Sequence, residues 1–157
     1  MIESVLVPKD RLGVIKDEKT RKEVEDKLNV KITFDDNTVL LDGEGLEFYQ
    51  AKNIIKAIGR GFSPPRAFRL FNDEEVLEII TLPFADKKND RIKSRVIGTG
   101  GKMRGEIELK TKASVSVYGK TISIIGTYKQ IKNAKEAIEM LINGAEHKTV
   151  YTFLSRL

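Results

Sequence analysis

The chain repeats itself. Slid along its own length by 83 positions, residues 18–61 align with 101–144 without a gap and share 11 identities in 44 positions. Lys19, Arg21, Glu23, Glu25 and Lys27 recur as Lys102, Arg104, Glu106, Glu108 and Lys110. Thr38 and Gly43 recur as Thr121 and Gly126, and Ala51, Lys52, Ile55 and Gly61 as Ala134, Lys135, Ile138 and Gly144. Apolar character is kept where identity is not, as in Val24/Ile107, Ile32/Val115 and Val39/Ile122. Self-similarity at this period means one small domain built twice, not a single large core.

The order of elements reads the same way in both copies. Ile2–Val7 and Val76–Ile80 are expected strands. A short basic helix follows near 9–14 and 87–95, then an amphipathic helix at about 18–28 and 101–112. Two short strands come next, near 30–35 with 38–42 and 113–118 with 121–125. Val115 and Val117 alternate there with Ser114 and Ser116, the period of a half-buried strand. Asp36-Asn37 and Gly119-Lys120 are two-residue hairpin turns. A long helix closes each unit at Leu46–Ile58 and Tyr128–Ile142, the latter with Ile131, Ala134, Ile138 and Leu141 on one face. The expected fold is α+β, with β-α-α-β-β-α twice. The expected organisation is a first domain at 1–61, a linker with a short helix at 62–74, and a second domain with a C-terminal extension at 75–157. Ser63 before Pro64-Pro65 suits the start of that linker helix.

The two copies differ most between their first two helices. The second carries Gly98-Thr99-Gly100-Gly101, between Val96-Ile97 and Lys102-Met103-Arg104. Three glycines leave a backbone that adopts positive φ and approaches another molecule closely. The helix that follows offers unpaired N–H groups and the positive end of its dipole. Lys93, Arg95, Lys102 and Arg104 add positive charge around the turn. Together these features suit a phosphate backbone. A Walker loop is excluded, because Met103 follows Lys102 and Val96 stands where the first glycine belongs. A dinucleotide fingerprint is excluded because it needs glycine at Met103. A turn that merely joins two elements is the plain alternative. In the first copy the aligned residues are Ile15-Lys16-Asp17-Glu18. Two carboxylates there satisfy a helix start but repel a phosphate, so the first unit is not expected to clamp nucleic acid.

Charge divides the same way. The chain is +5 overall, but residues 1–83 hold 13 Lys/Arg and 16 Asp/Glu, a net of −3, and residues 84–157 carry +8. The window 87–112, which contains the glycine loop, is +6. With no cysteine, disulfides and thiolate metal sites are excluded. No metal site or cofactor is expected. No stretch reads as a signal peptide or approaches a membrane span. His147 is the sole histidine, and nothing places acid, base and nucleophile together, so no enzymatic activity is expected.

The order β-α-α-β-β-α, with Val-Ile-Gly-Thr-Gly-Gly-Lys at 96–102, resembles the eukaryotic-type (type I) KH RNA-binding domain. The resemblance covers both repeats and implies two tandem type I KH domains. Each would be a three-stranded antiparallel sheet packed by helices, the first lacking the glycine loop. It also implies a loop that clamps about four nucleotides of single-stranded RNA beside an apolar groove for the bases. The hairpin Val115–Thr121 and the tail Gly144–Leu154 narrow the likeness further. They are similar to the double-KH small-subunit ribosome-assembly factors, the partner-of-Nob and Dim-two family, in their compact archaeal form.

Membership would imply a cytoplasmic ribosome-biogenesis protein that binds single-stranded 16S ribosomal RNA near its 3′ end through the second domain and assists pre-rRNA maturation. Its partners would include a PIN-domain rRNA endonuclease and a translation initiation factor subunit. Candidate RNA-binding residues are Gly98, Thr99, Gly100 and Gly101 toward the phosphates, and Lys93, Arg95, Lys102 and Arg104 for charge. Ile97, Val115 and Val117 are candidates to line or support the base groove, with plain core as the other reading of the two valines. A protein-interaction scaffold that no longer reads RNA is the alternative function.

Overall fold

The computed structural model describes every residue from Met1 to Leu157. The chain divides into two compact units, Met1–Asp73 and Glu74–Leu157. The first unit runs β1 (Ile2–Leu6), α1 (Lys9–Lys16), α2 (Glu18–Leu28), β2 (Lys31–Asp35), β3 (Thr38–Asp42) and α3 (Gly45–Gly59). It ends in a short helix, α4 (Pro64–Ala67), and a 3-10 turn at Phe68–Phe71. The second runs β4 (Glu75–Thr81), α5 (Asp86–Ile97), α6 (Lys102–Thr111), β5 (Ser114–Tyr118), β6 (Thr121–Thr127) and α7 (Tyr128–Ile142), followed by α8 (His147–Ser155). Each unit has one antiparallel three-stranded sheet, ordered β1-β3-β2 and β4-β6-β5. The α+β class and the β-α-α-β-β-α order expected from the repeat are both present.

The hairpins are tight because their first turn residues accept positive φ, 58° at Asp36 and 55° at Gly119. The strands then alternate. Ile32, Val39 and Leu41 point inward in the first unit, and Val115, Ile122 and Ile124 in the second. Burying each such side chain contributes about 1.5–3 kcal/mol. Helix α7 begins with a capping box, in which Gln130 N–H donates to Thr127 Oγ1 and Thr127 N–H to Gln130 Oε1.

The duplication extends to individual hydrogen bonds. Glu25 Oε2 accepts from Ile32 N–H at 2.9 Å, and Glu108 Oε2 from Val115 N–H at 2.8 Å. Lys52 bonds Glu3, and Lys135 bonds Glu78 at 2.9 Å, each tying the long helix to the first strand. Arg11 donates to the carbonyls of Ile58 and Phe62, and Arg95 to those of Leu141 and Ala145. These pairs are equivalent positions of the two units.

Two details add to the sequence expectation. Residues 62–71 pack on the first unit: Phe62 and Leu70 are buried, and Gln50 Nε2 holds the Phe71 carbonyl at 3.0 Å. The tail forms α8, whose Val150 and Leu154 join the core of the second unit beside Met103, Ile107 and Ile138.

Candidate nucleic-acid interface

Helix α5 is anchored before it reaches the site. Asn89 is buried. Its amide nitrogen donates to the carbonyls of Leu82 and Phe84, and its oxygen accepts from Phe84 N–H. With all three groups satisfied, the β4–α5 connection is fixed. Ile92 and Val96 then hold the helix to the core, and it stops at Ile97.

The loop that follows is shaped by glycine. Gly98 has φ 74°, and a Cβ there would stand 2.7 Å from the backbone nitrogen of Met103. Only glycine lets the chain fold back so closely on the start of α6. Gly100 and Gly101 also have positive φ, 62° and 78°, but a Cβ at either would meet nothing within 4 Å. Those two glycines therefore face open space. Thr99 and Gly100 are exposed, and Gly101 N–H closes a 3-10 turn on the Gly98 carbonyl at 3.1 Å. Gly101 occupies the N-cap of α6 and supplies no side-chain acceptor. The Lys102 N–H turns back to the Thr99 carbonyl, and no side chain caps the start of α6, so its dipole end faces solvent beside the glycine turn.

The equivalent helix start in the first unit is already occupied. Asp17 is the N-cap of α2, and its carboxylate accepts from Thr20 N–H and Thr20 Oγ1 at 3.2 Å each. Glu18 holds Lys22 at 2.8 Å, and that contact keeps the Glu18 carboxyl below its usual pKa. A phosphate approaching α2 would meet fixed negative charge, whereas the first turn of α6 carries no acid and no side-chain cap.

The candidate side chains separate into groups. Lys102 is exposed at the first turn of α6. Arg104 is half-buried, and its Nε has no hydrogen-bond partner. Lys93 is half-buried and pairs with Asp90 at 3.4 Å. Arg95 is turned away: Nη1 donates to the Leu141 carbonyl at 2.8 Å and Nη2 to that of Ala145. It fastens α5 to the end of α7, as Arg11 does in the first unit. Val115 is fully buried in the core and presents no surface, whereas Ile97 and Val117 are half-buried.

The first unit shows what lies between the first helix and the hairpin. A groove of about 460 Å³ there is lined by Lys9, Leu12, Lys16, Phe34, Asp36 and Asn37, among others. Taking Arg11 as equivalent to Arg95, the counterparts of Lys9 and Leu12 are Lys93 and Val96, and Ile97 replaces Gly13. Across the strands, Phe34 becomes Val117, Asp36 becomes Gly119 and Asn37 becomes Lys120. Lys16 becomes Gly100, so this side of the fold loses an acid at Asp36 while Lys120 makes up for the base lost at Lys16. Lys120 is a basic residue missed from sequence. It is exposed and only loosely paired, 3.9 Å from Asp86. The aligned repeat carried the signal in the Asn37-to-Lys120 exchange. With the boundary at Asp73, the first unit holds 13 basic and 13 acidic residues, and the second 15 and 10. The positive excess therefore resides entirely in the unit with the glycine loop.

Comparison with known proteins agrees with this geometry. Residues 75–157 match the model of the eukaryotic-type KH domain (KH-domain type I), in the form of the second KH domain of PNO1. The fold and loop thus define a KH-domain protein. The chain is 45% identical to the KH domain-containing protein MJ0443 of Methanocaldococcus jannaschii, over 99% of this chain and 73% of that protein. The crystal structure of Dim2p from Pyrococcus horikoshii OT3 superposes with a TM-score of 0.93 at 45% identity, covering 100% of this chain and 99% of that one. A second structure from the same organism, an a/eIF2alpha–aDim2p–rRNA complex, matches with a TM-score of 0.89 at 44% identity, over 99% and 93%. The chain belongs to the archaeal PNO1/Dim2 family of KH-domain proteins. No helix in it is long and apolar enough to cross a membrane.

Proposed function

We propose that this protein is an RNA-binding ribosome-biogenesis factor that holds a short single-stranded segment near the 3′ end of 16S ribosomal RNA in its second unit and assists pre-rRNA maturation. The observation that carries the reading is the contrast at the two helix starts. The Gly98–Gly101 turn is open, uncapped and flanked by Lys102, whereas the equivalent start in the first unit is filled by Asp17. Gly98, Thr99, Gly100 and Gly101 bring the backbone to the phosphates, and Lys93, Lys102, Arg104 and Lys120 supply charge. Ile97 and Val117 border the bases, and Val115 supports them from the core. The role is binding, not catalysis.

On this reading the chain is two tandem KH-type domains, at 1–61 and 75–157, joined through 62–74. The first is a degenerate copy that serves structure or protein contact. The Pyrococcus neighbour whose crystals contain a/eIF2alpha and rRNA supports ribosomal RNA and a translation initiation factor subunit as partners. Family membership supports a PIN-domain rRNA endonuclease as a further partner and the cytoplasm as the site of action. The test is fluorescence anisotropy with a labelled oligonucleotide from the 16S 3′ end and a scrambled control. Tighter binding of the native sequence is expected. Equal affinity would reject sequence-directed recognition, and absence of binding to either would favour a protein scaffold.

A further inference from the structure

The second unit has an open groove far from its glycine loop. It measures about 530 Å³ and lies between β4 and the first half of α7, lined by Val76, Leu77, Tyr128, Ile131 and Lys132 beside the Glu78–Lys135 ion pair. Ile131 forms a buried floor, and the Tyr128 ring stands at the rim, 84% exposed. Lys129 and Lys132 are exposed on the same stretch of helix and have no ion-pair partner. Strand β4 pairs only with β6 and is an edge of the sheet. Leu82 N–H points to the β6 side, where it meets the Lys120 carbonyl at 2.8 Å. By the alternation of an antiparallel ladder, the amides and carbonyls of Leu77 and Ile79 then point off the open edge.

The first unit has the same place closed. Met1 is the equivalent of Val76, and Tyr49 of Lys132. Tyr49 Oη lies 3.9 Å from Met1 Sδ, so the two larger side chains meet where the second unit has a gap. The opening thus follows from differences between the copies, with Val76, Ile131 and Lys132 standing where the first unit has Met1, Phe48 and Tyr49, and is not a general property of the fold.

We propose that this groove seats an extended segment of a partner protein, added to β4 as a fourth strand, with apolar residues entering the cleft and acidic residues meeting Lys129 and Lys132. The open edge supplies main-chain hydrogen bonds, and the pocket and lysines select side chains. RNA is disfavoured here. The Glu78 carboxylate lies in the groove, and β4 is at the opposite edge of the sheet from β5. Arg95 ties the end of α5 to Leu141, so the glycine loop lies near the far end of α7, roughly 20 Å away along a helix of this length.

The experiment is selection of phage-displayed random twelve-residue peptides on the full chain, followed by anisotropy with the resynthesised winners. Enrichment of alternating apolar and acidic residues is expected. The double variant Val76→Met, Lys132→Tyr, which installs the plug of the first unit, should weaken those peptides more than tenfold and leave RNA affinity within twofold. The surface reversal Lys129→Glu with Lys132→Glu keeps the groove's shape and should weaken them similarly, so a folding defect in the plugged variant does not decide the matter. Backbone amide shifts should map to Val76–Ile80. The proposal fails if no peptide family is enriched, or if the winners bind both variants as well as the wild type. It fails equally if oligouridylate shifts the amides of the groove, which would make it a nucleic-acid surface, or if the groove mediates self-association that the plug abolishes.

Discussion

Arg95 donates from Nη1 to the carbonyl of Leu141 at 2.8 Å, binding the helix before the glycine loop to the last turn of α7. Arg11 makes the same bridge to Ile58 and Phe62. A positive charge beside the glycine loop is therefore committed to holding the loop's support. Arg95→Ala should lower stability by about 1.5–3 kcal/mol, the range for hydrogen bonds to a charged group. RNA affinity, measured where the variant is fully folded, should fall less than about threefold, under ~0.7 kcal/mol. Chemical denaturation and anisotropy separate the two effects. A large affinity loss at unchanged stability would return Arg95 to the phosphate-binding set.

The loop glycines should not be equivalent. At Gly98 a methyl group collides with the Met103 backbone, and φ is 74°. Gly98→Ala should cost several kcal/mol, because steric overlap adds to a backbone penalty of about 1–3 kcal/mol. At Gly100 space is open, and Gly100→Ala should cost only about 1–2 kcal/mol for the left-handed conformation. Thermal unfolding of the two variants checks the order, and equal losses would show that the Met103 contact is unimportant.

The first unit should respond to its acids as a fold, not as a binding site. Asp17→Ala removes an N-cap that holds Thr20 N–H, and should cost about 1 kcal/mol. Asp17→Ala with Glu18→Ala should leave RNA affinity within about threefold, ~0.7 kcal/mol. Ultraviolet crosslinks to bound RNA should concentrate at residues 91–121 and be sparse at 9–35. Crosslinks at Lys16 or Lys19 as strong as those at Lys102 would make the first unit a second clamp.

Salt should weaken binding in proportion to the phosphates met. Log affinity should fall with log salt by roughly 0.7 per contact for single strands. Lys102→Ala and Lys120→Ala should each flatten the slope by somewhat under one unit. A slope unchanged in both variants would mean that neither lysine meets the backbone.

Most of the element order was legible because the repeat doubles each signal. Thr38 and Thr121 begin the third strand in both units, and Asp36-Asn37 and Gly119-Lys120 both turn the chain. The glycine loop was legible because positive φ at three closely spaced positions has few other uses. Helix α8 was hidden: Thr149, Val150 and Thr152 favour strands locally, and only Val150 and Leu154, four residues apart, are buried to hold it as a helix. The bridging role of Arg95 was hidden because its partners lie 46 and 50 residues away. An ungapped offset also hid the match of Arg95 to Arg11, since the second copy has one residue fewer than the first between this arginine and the second helix. Val115 was ambiguous because alternation marks a strand's inward face without saying whether that face meets core or ligand.

RNA binding is expected to run through the open turn of the second unit, which meets the phosphate backbone. The variant Thr99→Asp with Gly100→Asp places two acids on exposed loop positions where neither side chain packs against the core. Anisotropy with the 16S 3′-end oligonucleotide, alongside circular dichroism, is the direct measurement. A folded protein whose affinity falls at least tenfold, about 1.4 kcal/mol, is expected. A folded double variant that binds as tightly as the wild type would contradict this expectation.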